Sequence, residues 1–468
     1  MATPLAVDLI RVAAHRTRRE PDQLAGLFLL TLPVALLALP YGGGDVTARN
    51  ITPADAASAL LVAFCAVQIA RGRVRPLPAT AAWVLAAPTV ALTVATVTAV
   101  DPAAALPGLV RYLQIFVLVP AAVVLLVRDA ADFRWVASGL VLLAVLEGAV
   151  GLHQFVTGTG ASYAGQDIRA VGTFGATDVM GMATVVALGL VTALGLAVGS
   201  ATGVRRPGWQ QPALVVTCAA LCVPLVLSFS RGAWIATVLV AAGLAAFLGR
   251  RRLLQMTAVT VAFVVVLVGG FGVGSAMLDQ RLTSITQVTD SPDQSVTDRY
   301  TMWAAAADMW RERPVTGVGL KGFPQHRDGH AGLALSSGSD TGGAGQDFHR
   351  QPLLSPHSMY LLVLGEQGLV GMVGLAGSWL AVLVLGLRAA VRARLRTGEL
   401  GVGLVAVGLL AWQLVDFVYA DIGGPATALV GIVFGLAVWW ACAERPGTVL
   451  YGTGRVRTLG RQNTAAYE

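Results

Sequence analysis

Charge is what this sequence has least of. Asp, Glu, Lys and Arg make up 13% of the 468 residues and hydrophobic residues 55%, whereas a soluble domain carries about 25% charge. A surface that apolar would aggregate in water, so the water-soluble enzyme classes are excluded. Lysine is all but missing: of the 33 basic residues only Lys321 is not an arginine. The formal net charge of +7 and isoelectric point near 9.6 would suggest nucleic acid in a soluble protein. In a chain this apolar the placement of charge matters more, and no nucleic-acid partner is expected. Cysteine is scarce too. Cys65, Cys218, Cys222 and Cys442 all fall in apolar runs, which gives no disulfide framework. Cys218 and Cys222 share a helix face, but no His or acid lies near them, so they read as small buried hydrophobes. No repeat of 20–50 residues is visible, nor any similarity between the halves.

What is present is a series of continuous apolar runs of about membrane-spanning length. Twelve are found, at about 24–40, 54–70, 77–100, 105–127, 135–156, 177–198, 212–228, 233–249, 253–275, 358–387, 400–420 and 425–442. Continuous runs without alternation argue against a membrane barrel. The expectation is an all-α polytopic membrane protein of about 12 transmembrane helices.

Arginines set its orientation. Clusters at Arg11–Arg19, Arg71–Arg75, Arg128 and Arg134, Arg205–Arg206, Arg250–Arg252, Arg388–Arg396 and Arg445–Arg461 fall on one side, 22 residues in all. Ten basic residues fall on the other, and Arg111 lies within the fourth run. Both termini are therefore expected in the cytoplasm. A cleaved signal peptide over 1–40 is rejected, because losing the first span would put the next arginine cluster outside. The expected organisation is a cytoplasmic tail at 1–23, nine spans over 24–275, a large extracytoplasmic loop at 276–357, three spans over 358–442 and a cytoplasmic tail at 443–468.

The 82-residue segment Ala276–His357 carries seven of the ten outward basic residues and is far longer than an ordinary loop. Its Gly/Ser-rich middle, 328–346, reads as mobile. Its first half reads as helix: Ser295-Val-Thr-Asp298 resembles a capping box, and Trp303, Ala307 and Trp310 share a face before Pro314 ends it. Gly317-Val-Gly-Leu-Lys-Gly322 matches a dinucleotide fingerprint, but it follows a helix-stopping proline and has no βαβ unit; a tight glycine turn explains it better. His326, His330, His349, Asp340 and Asp347 could be assembled into a metal site, although solvated loop histidines on a glycine-rich stretch account for them. Arg111, Glu147, Glu366 and Asp416 lie within apolar runs, where ionisable groups are costly and point to function, unless they pair with one another across the bundle.

The strongest signals gather at the outer ends of the runs. They are Arg169-Ala-Val-Gly-Thr-Phe174, Ser228-Phe-Ser-Arg-Gly-Ala-Trp234, Asp298-Arg-Tyr-Thr-Met-Trp303 with Arg311-Glu-Arg-Pro-Val-Thr-Gly-Val-Gly319, and Pro356-His-Ser-Met-Tyr-Leu361 with Glu366-Gln-Gly-Leu-Val-Gly371. Arginine suits phosphate because its planar fork donates bidentate, charge-assisted hydrogen bonds and stays charged. A histidine among such cations has its charged form disfavoured, and neutral imidazole is what a general base requires. Lipid headgroups would account for one such arginine, less easily for four with a histidine.

In this order, R-x-x-G-T-F (169–174), S-x-S-R-G-x-W (228–234), R-x-x-x-W (299–303), R-P-x-T-G-V-G (313–319) and H-x-x-Y-L-x-x-x-x-E-x-G-x-x-G (357–371) resemble the O-antigen ligase and polymerase family. The set covers about 200 residues; the N-terminal spans match in character alone. Ser358 stands where the family commonly has asparagine, and Thr177-Asp178 where an asparagine pair with proline is often seen. The resemblance implies a GT-C-like membrane glycosyltransferase that takes a polyprenyl-diphosphate-linked glycan as donor on the extracytoplasmic side, inverts the anomeric carbon and needs neither metal nor other cofactor. It implies that Arg231 and Arg299 bind the diphosphate, that His357 orients or deprotonates the acceptor hydroxyl, and that Arg169 supports the site. Arg311, Arg313, Lys321 and Glu366 are further expected substrate contacts. Expected partners are the lipid-linked donor, a glycan or lipid-glycan acceptor, membrane lipids, and polysaccharide-export or chain-length proteins. A 12-span secondary transporter and an inactive relative assisting polysaccharide assembly remain as rival readings.

Overall fold

The computed structural model describes residues 21–40, 52–74, 76–163, 166–175, 178, 180–200, 209–251, 254–255, 258, 294–332, 335–336, 339–343, 349–351, 353–394 and 399–442. Eleven of the twelve apolar runs coincide with helices there. These are α1 (Pro21–Leu36), α2 (Pro53–Ala70), α3 (Ala79–Val97), α4 (Pro102–Leu113) continued by α5 (Val119–Leu126), α6 (Ala130–Thr157), α7 (Gly181–Ser200), α8 (Gln210–Leu227), α9 (Arg231–Leu248), α12 (Met359–Gly371) continued by α13 (Gly377–Ala393), α14 (Leu400–Asp416) and α15 (Thr427–Cys442). Most of the expected ninth run lies outside the described residues. Between α9 and α12 stand α10 (Gln294–Glu312) and α11 (Phe323–His330). Eight helices among the described residues are long and apolar enough to cross a bilayer. The chain is a helical, multi-pass membrane protein.

Local chemistry sets the helix starts. Thr52 and Asp55 form a reciprocal capping box at α2, Asp101 caps α4, Asp129 caps α6 and Ser230 caps α9. Proline occupies the first position of α2 and α4, where its missing N–H costs nothing. The two junctions α4–α5 and α12–α13 are π turns, Gln114–Leu118 and Met372–Ala376.

The outward faces are apolar. Phe28, Trp83, Val110, Trp135, Val156, Val216 and Val373 are all exposed, a distribution suited to lipid rather than water. At the centre lies α7, with 83% of its span buried. Its Gly195 and Gly199 let α14 approach: a Cβ on Gly199 would fall 2.1 Å from the Gly401 Cα, and one on Gly195 2.8 Å from the Val405 side chain. Small residues four apart permit this backbone contact between membrane helices.

A second core joins Phe116, Trp379, Phe417 and Phe434 to Met302, Ala306 and Met309 of α10 and to Val318, Leu320 and Phe323. The large loop is thus anchored by its own apolar side chains.

The all-helical expectation needs one amendment. A four-stranded antiparallel sheet runs in the order β2-β1-β3-β4, from β1 (Ala161–Tyr163), β2 (Gln166–Arg169), β3 (Ser339–Gly343) and β4 (His349–Gln351). The 328–346 segment, read as mobile, ends α11 and supplies β3. It has no apolar period to signal a strand, yet backbone donors and acceptors still need partners; the edge of the 161–169 hairpin pairs with Gly342 and Gly343, and β4 with Ser339–Thr341.

Candidate functional site

Among the described residues three that are not glycine have positive φ: Phe229 (50°), Lys321 (62°) and His357 (49°). Each lies in a segment whose sequence points to chemistry. Such backbone persists only where the surroundings over-determine it, and around His357 they do. The Trp303 indole donates to the Pro356 carbonyl (2.8 Å), and the Met359 N–H reaches the carbonyls of Phe417 and Ala420 (2.9 Å each). One clasp comes from α10 and the other from the turn between α14 and α15.

These clasps bring His357 together with Arg299 and Asp421. Burial holds the imidazole below the ordinary histidine range, Asp421 opposes that, and the Arg299 guanidinium reinforces it. Burial, more than the neighbouring cation, thus disfavours the charged ring. Next to Arg299 on α10, Asp298 accepts from the N–H (2.8 Å) and hydroxyl (2.6 Å) of Ser336. The capping role expected from Ser295 lies outside the described side chains.

Arg231 is the first residue of α9, where the positive end of the helix dipole adds to its charge. The Ser230 hydroxyl oxygen caps that end, accepting from the Ala233 N–H (3.3 Å). Tyr419 connects this terminus to the surroundings of Arg299. Its hydroxyl donates to the Gly232 carbonyl, and Arg299 acts on it electrostatically. A Cβ on Gly232 would fall 2.0 Å from the Tyr419 ring, so the glycine after Arg231 is what admits the tyrosine. Arg169, half-buried, ends β2, and the N–H of the adjacent Ala170 donates to the Leu227 carbonyl (3.2 Å), just before the turn that leads to Arg231.

Carboxylates line the same end of the bundle. Asp421 acts on His357 and on Asp416 at the end of α14. Asp178 accepts from the N–H groups of Gly181, Ala426 and Met180; burial nevertheless pushes its carboxyl up to about 6.

Lys321 and Glu366 form a neighbouring pair. The Lys321 ammonium lies 5.8 Å from the Tyr112 ring centroid. Glu366, buried, accepts from the Phe323 N–H (3.1 Å) and faces Lys321, so it braces the 314–323 loop. That loop is the glycine turn expected in place of a nucleotide fingerprint. Gly368 breaks α12 (φ 60°, ψ −155°), and the loop fills the gap. Val318 and Gly319 donate to the carbonyls of Gly365 and Glu366 (2.9 Å each), and Leu369 and Val370 donate to those of Pro314 and Val315 (2.9 and 3.1 Å).

Arg311 and Arg313 are exposed. Arg311 pairs with Asp308, and both arginines stand some 18 Å or more along the chain axis from Arg299 at the helical rise. The structure does not bring them to His357. His326 and His330 share a helix after all, α11, but their Nδ1 atoms contact the Gly322 and His326 carbonyls and His330 Nε2 meets Glu312 at 3.0 Å. Of the other metal candidates, the His349 and Asp340 side chains and Asp347 lie outside the described residues. Nor do the four intramembrane groups pair with one another. Arg111 takes Asp55, Glu147 takes Thr173, Glu366 takes the 321–323 turn, and Asp416 accepts from Gln413 (3.3 Å).

Sequence reasoning missed Asp421 and Tyr419. The available signal was slight: Asp421 is an acid in the short gap between the 400–420 and 425–442 runs, with Tyr419 two residues before it at the end of the first.

Residues 216–376 match the family model described as O-antigen ligase. The matched third of the chain holds Arg231, Arg299, Lys321, His357 and Glu366, whereas Arg169 precedes it. The resemblance read from the motifs therefore holds over this domain. No curated protein matches the chain.

Proposed function

We propose that the protein is an inverting, metal-independent glycan transferase of GT-C-like, 12-span architecture, working at the outer face of the cytoplasmic membrane with both termini inside. The observation that carries this reading is the strained His357, its charged form disfavoured by burial, within the electrostatic reach of Arg299 and Asp421, with Tyr419 tied to Gly232 beside Arg231 at a helix N-terminus. The matched ligase domain supports the reaction class.

The donor is a polyprenyl-diphosphate-linked glycan and the acceptor a sugar hydroxyl. His357 takes the hydroxyl proton as the acceptor oxygen attacks the anomeric carbon. The bond from that carbon to the diphosphate breaks, and its electron pair leaves on the phosphate oxygen. Arg231 and Arg299 bind the diphosphate and stabilise the charge developing on it, as preorganised donors do for a leaving oxyanion. Asp421 stabilises the imidazolium, the role a carboxylate plays beside a catalytic histidine. Arg169 lends a further cation. Lys321 and Glu366 support the loop that holds α10 against α12, while exposed Arg311 and Arg313 remain available to the glycan.

The test is transfer from a purified lipid-linked donor. Arg231→Ala, Arg299→Ala and His357→Ala should each lose about 100-fold or more in kcat while retaining the wild-type elution profile in detergent. Near wild-type turnover in all three would refute the assignment, and complete loss on chelation would move the chemistry to a metal.

A further inference from the structure

Glu147 is fully buried in the middle of the α6 span, yet the reaction above gives it nothing to do. Its partner is the loop that carries Arg169. One oxygen accepts the Thr173 N–H (2.9 Å) and the other lies 2.7 Å from the Thr173 hydroxyl. Two turns further along α6, Gln154 grips the same loop: its Oε1 accepts from the N–H groups of Val171 (3.1 Å) and Gly172 (2.9 Å), and its amide donates to the Gly172 carbonyl (2.8 Å). The Thr173 hydroxyl also reaches the Leu37 carbonyl at the end of α1 (3.2 Å).

The loop has been shaped to this grip. Gly172 has φ +63°, and a Cβ there would fall 2.2 Å from the Glu147 carboxylate, so glycine is required both for the backbone and for the approach. On the far side Ala170 bonds Leu227. From there the Ser228–Ser230 turn, tied by the Ser228 hydroxyl to the Leu225 carbonyl (2.6 Å) and by the Ser230 N–H to that hydroxyl oxygen (3.3 Å), leads to Arg231.

We propose that Glu147, with Gln154, is a positioning residue: a clamp within the membrane that fixes the Arg169 loop against the Arg231 turn, so that two cations face one diphosphate. The inference rests on the proposed function in assigning these arginines to the donor. Glu147 touches no substrate. Both its oxygens are engaged by the loop, and it acts through Thr173 alone.

Two readouts test it. The first is hydrogen exchange of the Val171, Gly172 and Thr173 amides in detergent. Glu147→Ala and Gln154→Ala should speed exchange there while α6 and α7 stay protected. The second is single-turnover transfer. Glu147→Ala should lower the rate by up to about 100-fold, the effect of a roughly 1 Å misplacement, yet add nothing in an Arg169→Ala background, because the clamp acts through that arginine. Glu147→Gln should restore most of the rate, since its carbonyl can accept the Thr173 N–H and its amide can donate to the hydroxyl oxygen. Unchanged exchange in Glu147→Ala and Gln154→Ala would overturn the proposal. So would an equal loss with and without Arg169, or a Glu147→Gln variant no better than alanine. If wild-type protein transfers no lipid-linked glycan, the proposed function falls, and the exchange measurement still decides the clamp.

Discussion

At the scale of single residues, His357 gives the sharpest expectation. Its imidazole is held below the ordinary histidine range by burial, lowered further by Arg299 and raised by Asp421. Burial favours the neutral ring, so its contribution to stability is complete above pH 6.5, the ordinary value, and is lost as pH falls through the lower folded value. The kcat/KM of transfer should follow, with an acid limb centred below 6.5. Removing the carboxylate with Asp421→Asn should move that limb to lower pH, and removing the cation with Arg299→Ala should move the residual activity to higher pH. A pH–rate profile of each variant reads this directly; shifts of the opposite sign would break the arrangement of the three groups. His357 and Arg231 could be picked out as candidates in the sequence because polar residues are rare in it and each stands at the end of an apolar run, and Arg299 because it opens the R-x-x-x-W motif of the large loop. Asp421 and Tyr419 could not, because their partners lie on other segments of the chain and no local period marks them.

At the scale of elements, the break in α12 does the most. Gly368 occupies a region of φ/ψ space that is essentially closed to other residues, and a Cβ there would fall 2.5 Å from the Val315 carbonyl. Gly368→Ala should therefore cost several kcal/mol, of which about 1–3 is backbone strain and the rest the displaced loop. The loss should appear as a lower thermal midpoint in detergent together with lost transfer. An unchanged midpoint would mean that the loop is not spliced into the helix. The glycine turn and the end of α10 at Pro314 could be read in advance, since each depends on a local stop signal. That the turn fills a gap in a helix some 50 residues further on could not. The strand at 339–343 escaped notice for a related reason: it pairs on one side with β4 and on the other with a distant hairpin, while its composition is that of a loop.

At the scale of the whole molecule, eleven apolar runs were legible as helices because twenty-odd apolar residues leave few alternatives in a bilayer. Their packing was less so, since every face of such a helix looks alike until small residues mark a contact. Gly199 is one such mark. Gly199→Val should separate α7 from α14, which ends at Asp416 beside the site, and should lower both the thermal midpoint and the transfer rate, whereas the same change at Gly243, which has open space where a Cβ would go, should leave the midpoint near wild type. The single lysine has a different kind of consequence. Because Lys321 sits in the spliced loop with its stem against Gly108 and its ammonium over Tyr112, amine-directed labels have one side-chain target in the entire chain, and that target lies where the large loop joins the membrane helices. With the α-amine blocked, a fluorophore or isotope-coded acyl group attached there would report on this junction, without a cysteine having to be engineered or the four native ones removed.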